Sequence, residues 1–177
     1  MADNAALIDR LLEEHKVIIR DVQSLQRAAN DASLLIGLKE ARETFVPGRF
    51  DQKHGLQKLQ EMLAAIDKGL RAHFNREETL LLAEFEKHGD RKLVTTLNSL
   101  LLEHEDLRNR LDHAKVDIDE LMNGKLARQR WEASANDMRA HLSHTRKLLE
   151  AHAAVESELL LELRRYLKGE SARKEKT

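Results

Sequence analysis

Four stretches of this chain repeat one pattern, in which leucines and isoleucines recur three and four residues apart and a single histidine interrupts the apolar stripe. That spacing is the period of an α-helix, so each stretch predicts a long helix with one face to bury. Four such stripes are best buried against one another. The expectation is an all-α, up-down-up-down antiparallel four-helix bundle in one domain over residues 1–168, with a flexible tail over 169–177. The recurrence is what a bundle gives and is no sign of a solenoid.

In the first helix the stripe is Leu7, Ile8, Leu11, Leu12, Ile18, Ile19, Val22 and Leu25, with Asp3 or Asn4 as cap. It loosens near Asn30-Asp31, and 31–50 reads as a connection with a short helix or helix extension, broken at Pro47-Gly48. The second helix starts around Asp51, carries Leu56, Leu59, Leu63, Ile66, Leu70, His73, Glu77, Leu80 and Leu81, and stops at His88-Gly89-Asp90. The third presents Leu93, Leu97, Leu100, Leu101, His104, Leu107, Leu111 and Ile118, and ends at Asn123-Gly124. The fourth starts between Lys125 and Ser134 and ends near Lys168, with Leu148, Leu149, His152, Val155, Glu156, Leu159, Leu160, Leu163 and Leu167.

Composition supports helices and removes whole classes of chemistry. One proline and seven glycines leave little turn chemistry for a β protein. A net charge of −1 argues against a nucleic-acid surface. The chain has no cysteine, which excludes disulfides, thiolate zinc sites, iron–sulfur clusters and cysteine nucleophiles. No apolar run reaches about 18 residues and no export signal is visible, so the expectation is a cytoplasmic protein without a membrane span.

The histidines in the stripes carry the functional reading. His15, His73, His104 and His152 each belong to a different helix, and His73 and His152 have a glutamate four residues on, at Glu77 and Glu156. Residues four apart share a helix face, so both pairs fall on the core side, where an unpaired ionisable group is costly. Counted from one end of the bundle, His15 lies about 12 residues deep, His73 and His104 about 15 and His152 about 16, an agreement within about 6 Å. Imidazoles and carboxylates at one depth suit iron, manganese or zinc better than calcium or magnesium. Four histidines and two glutamates suffice for two metals, each with two histidines and both sharing two carboxylates. Positions remain for a bridging oxygen species and a small exogenous ligand.

These residues resemble the hemerythrin-like (HHE cation-binding) family. The matching motifs are Glu14-His15-Lys16, His73-Phe74-x-x-Glu77-Glu78, Glu103-His104-Glu105, and His152-x-x-x-Glu156 followed by Leu159-Leu160. The resemblance spans about residues 7–167. It implies terminal metal ligands at His15, His73, His104 and His152, and bridging ligands at Glu77 and Glu156. It also implies a cofactor of two iron ions, a non-haem, oxo- or hydroxo-bridged di-iron centre that meets dioxygen, nitric oxide or peroxide. Oxygen-carrying hemerythrins have a second histidine where this chain has Arg108. The six-ligand pattern is closest to the di-iron domain of iron–sulfur-cluster repair proteins, which usually add a cysteine-bearing domain. The implied work is binding, sensing or reducing a small oxidant, in stress response or iron-centre repair, with a redox or iron-handling protein as partner. The alternatives are a helical interaction or regulatory bundle with structural histidines, and a structural zinc or manganese site.

The remaining candidates read as follows. His54, His88 and His113 fall near helix ends or off the stripes and are expected in solvent. His141, about 16 Å along the helix from His152, cannot share its metals; with His144 it is expected in a bundle-end or outer-layer role, the alternative being a separate site. Glu14, Glu78, Glu103 and Glu105 adjoin ligands, so either they orient imidazoles or they face solvent. Gly69 either admits a small gas or allows close helix packing. Arg108 either reaches solvent or pairs with a carboxylate, and Trp131 and Tyr166 are read as packing residues.

Overall fold

The computed structural model describes residues 2–31, 50–88 and 91–174. Helix α1 spans Ala2–Ala29 and α2 spans Phe50–Arg76; a five-residue π-helical turn, Glu77–Leu81, then leads into α3, Leu82–His88. Helix α4 spans Arg91–Met122 and α5 spans Arg128–Lys174. Backbone angles stay helical on both sides of the π turn, so α2, the turn and α3 form one rod. Four long helical rods result, and no strand occurs among the described residues. The expected short helix within 31–50, the Gly89 and Asp90 caps and the His88 side chain lie outside the described residues. The same holds for residues 175–177 and for the side chains from Lys168 onward, while the backbone of 169–174, expected in a flexible tail, continues helix α5.

Each rod packs on two neighbours: α1 on α2 and α5, and α4 on α2 and α5. The ring closes around a core in two parts. One apolar cluster gathers residues such as Ile8, Leu11, Leu81, Phe85, Leu97, Leu160 and Leu163; the other gathers Leu25, Leu59, Leu63, Leu111, Ile118 and Trp131. Burial of these side chains, at about 25 cal/mol per Å², drives the assembly. Between α4 and α5 the chain turns at Asn123-Gly124, where Gly124 has a φ of 70° that a Cβ would oppose. The Trp131 indole is buried against this turn, and its Nε1–H donates to Leu121 O at 3.0 Å, a packing role as expected. Tyr166 is half exposed and covers the surface instead of filling the core.

The π turn changes which residues face inward. Leu82 N–H donates to Glu77 O, five residues back, and the Thr79 hydroxyl adds a donor to Asn75 O at 2.6 Å. A wider turn rotates each residue less, so an inward set spaced strictly by four can continue: His73, Glu77, Leu81 and Phe85 are all buried. In an uninterrupted α-helix that set would drift round the helix by about 40° per step. The expectation that Leu80 belongs to the stripe is overturned. It turns outward at 53% exposure, and Val155, also assigned to a stripe, lies 45% exposed on the flank of α5.

Candidate metal centre

Between the two apolar clusters lies a polar layer made by all four rods. His15 comes from α1, His73 from the end of α2, Glu77 from the π turn, His104 from α4, and His152 and Glu156 from α5. All six are buried, with Glu77, His104 and Glu156 at 0% exposure. Their donor atoms form two groups, His15, His73, Glu77 and Glu156, and Glu77, His104, His152 and Glu156, each with its atoms within 4.8 Å of one another. Both groups use both carboxylates. The sequence-predicted set is thus brought together complete.

Inside the layer the Nε2 atoms point at the carboxylates. His73 Nε2 is 2.6 Å from Glu77 Oε1, and His104 Nε2 is 3.4 Å from Glu77 Oε2. His15 Nε2 sits 3.3 Å from Glu156 Oε2 and 3.5 Å from Glu77 Oε1, and His152 Nε2 is 3.5 Å from Glu156 Oε2. His104 and His152 face each other Nε2 to Nε2 at 3.2 Å.

The opposite edge of each ring is held from behind. His73 Nδ1–H donates to Glu14 Oε2, His104 Nδ1–H to Glu78 Oε1, and His152 Nδ1–H to Glu103 Oε2, each at 2.9 Å. His15 Nδ1 shares a 2.9 Å hydrogen bond with the Ser157 hydroxyl. A carboxylate only accepts, so these three partners fix the proton on Nδ1 and leave the Nε2 lone pair facing inward. Burial pushes Glu14 up, but bonds from His73, Arg76 and Arg10 outweigh it and hold the carboxyl below its ordinary range. Arg108 donates to Glu78 at 2.6 Å and its guanidinium lies 5.3 Å from the Phe74 ring centre; Phe74 in turn stacks on His104 at 3.9 Å.

These four partners follow one rule. Glu14 precedes His15 and holds His73; Glu78 follows Glu77 and holds His104; Glu103 precedes His104 and holds His152; Ser157 follows Glu156 and holds His15. Adjacent helical residues point about 100° apart. The neighbour of an inward ligand therefore lies in the seam with the next helix, against that helix's imidazole. Glu14, Glu78 and Glu103 were candidates on sequence; Glu105 is exposed, and Ser157 was missed. Adjacency to Glu156 was the signal that could have found it.

With protein atoms alone the layer has too many acceptors. Both oxygens of Glu77, both of Glu156 and His15 Nε2 are buried without a hydrogen-bond partner. Buried carboxylates in that state cost several kcal/mol each. Burial pushes Glu77 up, but His15 and His73 pull it down to about 2; burial and the charge of Glu77 push Glu156 up. Burial pushes His15 down, yet Glu156 and Glu77 lift it to about 9, while burial leaves His104 below its ordinary value. Cations placed among these atoms would satisfy all five at once, so the donor set fits metal ions, and uptake would displace the proton on His15.

The other candidates lie apart. His54, His113 and His144 are exposed, and His141 donates from Nε2 to Arg110 O at 3.0 Å as a clip between α5 and α4. Gly69 is exposed, and a Cβ there would meet nothing within 4 Å, so close helix packing is not what it provides. Among the described residues no helix is long and apolar enough to cross a membrane.

The chain matches no curated protein and no solved structure. The model of the hemerythrin HHE cation-binding domain, however, matches residues 6–164, the span that holds all six buried ligand candidates, and the protein belongs to that family of metal-binding helical proteins.

Proposed function

We propose that the buried layer holds two iron ions, with His15 and His73 as terminal ligands of one and His104 and His152 of the other, and with Glu77 and Glu156 bridging both. The carrying observation is the five buried polar atoms left without a hydrogen-bond partner at the meeting point of two donor groups that share their carboxylates. Two ions account for both groups; a single ion would leave half of the imidazoles without purpose. A reduced iron pair supplies electrons to a small oxidant, and the work we assign is binding, sensing or reducing dioxygen, nitric oxide or peroxide.

The chain's own residues define the rest. Glu14, Glu78 and Glu103 accept the Nδ1 protons and so fix the rings with Nε2 aimed inward for ligation. The apolar clusters above and below exclude water from the layer. Among the described residues no fifth imidazole joins the layer and Arg108 is turned to Glu78, which agrees with a coordination position kept for an exogenous ligand.

The same reading includes the up-down-up-down topology. Cross-helix bonds between α1 and α5 support it, running Asp9–Arg164, His15–Ser157, Gln23–Glu150 and Gln26–Ser143, so one series rises as the other falls. The ring of outer partners supports it too. The offsets from ligand to partner alternate −1, +1, −1, +1 around the bundle. Alternately reversed right-handed helices turn those offsets in one rotational sense.

The test is iron content and near-ultraviolet absorption of the purified protein, with azide added to shift the band. Glu77→Ala and Glu156→Ala are expected to lose metal, and His54→Ala and His113→Ala to keep it. Equal iron in all four variants defeats the ligand assignment. A colourless protein loaded with zinc or manganese defeats the redox reading and leaves a structural site.

A further inference from the structure

The partners behind the four imidazoles are chemically unequal, and the inequality follows the division between the two donor groups. In the group of His15 and His73, His15 is backed by the neutral Ser157 hydroxyl. His73 is backed by Glu14, whose charge is offset by Arg76 at 2.8 Å and Arg10 at 2.9 Å. In the group of His104 and His152 both rings are backed by carboxylates. Glu78 pairs with Arg108 at 2.6 Å, while Glu103 has no lysine or arginine partner among the described residues. One side thus carries a single carboxylate with two arginines, and the other carries two carboxylates with one arginine.

An anionic acceptor on Nδ1–H makes the imidazole a stronger ligand, and a hydroxyl does so less. The uncompensated negative charge also attracts the cation itself, though Glu103, being exposed, acts through water. Both effects favour the position of His104 and His152. Access points the same way. A groove of about 760 Å³ between α1 and α5 opens on His15 and Ser157, floored by Leu12, Ile19, Ala153 and Ala154. A second, of about 490 Å³, borders His73, and a smaller groove of about 290 Å³ borders His152.

We propose that the two metal positions are inequivalent: the ion held by His104 and His152 binds first and leaves last, and the ion held by His15 and His73 is the exchangeable one, passing through the α1–α5 groove. This rests on the two-metal reading above. Ser157 and Glu103 are then positioning residues that set the order of filling, and neither touches the ions.

Titrating metal-free protein with Co²⁺, followed by native mass spectrometry and visible absorption, reads the two steps separately. The natural protein is expected to fill in two steps at least about tenfold apart, the lower end of what an outer partner of a ligating histidine is worth. Glu103→Gln should weaken the tighter step about 10- to 100-fold and narrow the gap. Ser157→Asp, which supplies His15 with a carboxylate, should strengthen the weaker step. Two equal steps in the natural protein overturn the inequality, as does a Glu103→Gln variant in which only the weaker step moves. Those outcomes leave two ions bound; a natural protein that takes up no cobalt overturns the two-metal reading and the inequality together.

Discussion

His73 Nε2 stands 2.6 Å from Glu77 Oε1 while its Nδ1–H is already given to Glu14 Oε2 at 2.9 Å. With Nδ1–H engaged outward, a neutral ring would set its Nε2 lone pair against the carboxylate oxygen, and only a second proton or a cation makes so short a buried contact favourable. A similar crowding recurs where His104 faces His152 Nε2 to Nε2 at 3.2 Å, both rings having given Nδ1–H outward. The centre is thus built for a ligand at the expense of the empty protein.

The first expectation is a large difference in stability with and without metal. At free metal near 100 times Kd the native state gains about 2.7 kcal/mol. For a chain of this length that raises Tm by roughly 5–10 °C, at about 2–4 °C per kcal/mol. A chelator should remove the gain. Glu156→Gln keeps the shape but removes a buried charge, so its metal-free form should melt at or above the metal-free natural protein and no longer respond to chelator. Differential scanning calorimetry decides it; a chelator response retained in Glu156→Gln contradicts the bridging role.

The outer carboxylates should matter nearly as much as the ligands. Glu78→Ala frees His104 to change tautomer and leaves Arg108 without its 2.6 Å partner. Metal affinity is expected to fall about 10- to 100-fold, as found for outer partners of ligating histidines. Glu105→Ala, at an exposed position one residue past His104, should leave affinity unchanged. Competition against a chelator of known affinity measures both, and equal losses would show that proximity in sequence, not the hydrogen bond, governs the effect.

The π turn predicts unequal roles for adjacent leucines. Leu81 is fully buried, so Leu81→Ala should cost about 2–5 kcal/mol. Leu80→Ser, at an exposed position, should stay within about 0.5 kcal/mol. Urea denaturation of the two variants tests this; comparable costs would mean that Leu80 packs into the core as well and that the π turn does not turn it outward.

Gly69→Ala should stabilise the protein by about 0.5–1 kcal/mol, because an exposed helical glycine gains from a methyl group that meets nothing. Metal content should not change. A loss of stability would reveal a contact that the open space beside Gly69 does not show.

Much of the centre was legible in the chain itself. Helical period gives each residue's angle about its own axis, so His15, His73, His104 and His152 announce themselves as inward, and Glu77 and Glu156 follow at one turn's distance. Counting from helix ends gives depth, and equal depth on four rods gives a layer. These are local quantities, and each depends on one helix at a time.

What tertiary structure alone decided is everything that depends on two helices at once. Whether Glu103 or Glu105 meets the ring of His152 turns on which flank of α4 faces α5, and Ser157 acquires its role only because α1 brings His15 against that seam. The outward turn of Leu80 belongs here too. The core prefers Leu81 and Phe85 beneath Glu77, and the backbone accommodates them by widening one turn, a choice made by packing against α4 and α5 that propensity does not encode. Period fixes direction within a rod; only the neighbouring rods fix what that direction meets.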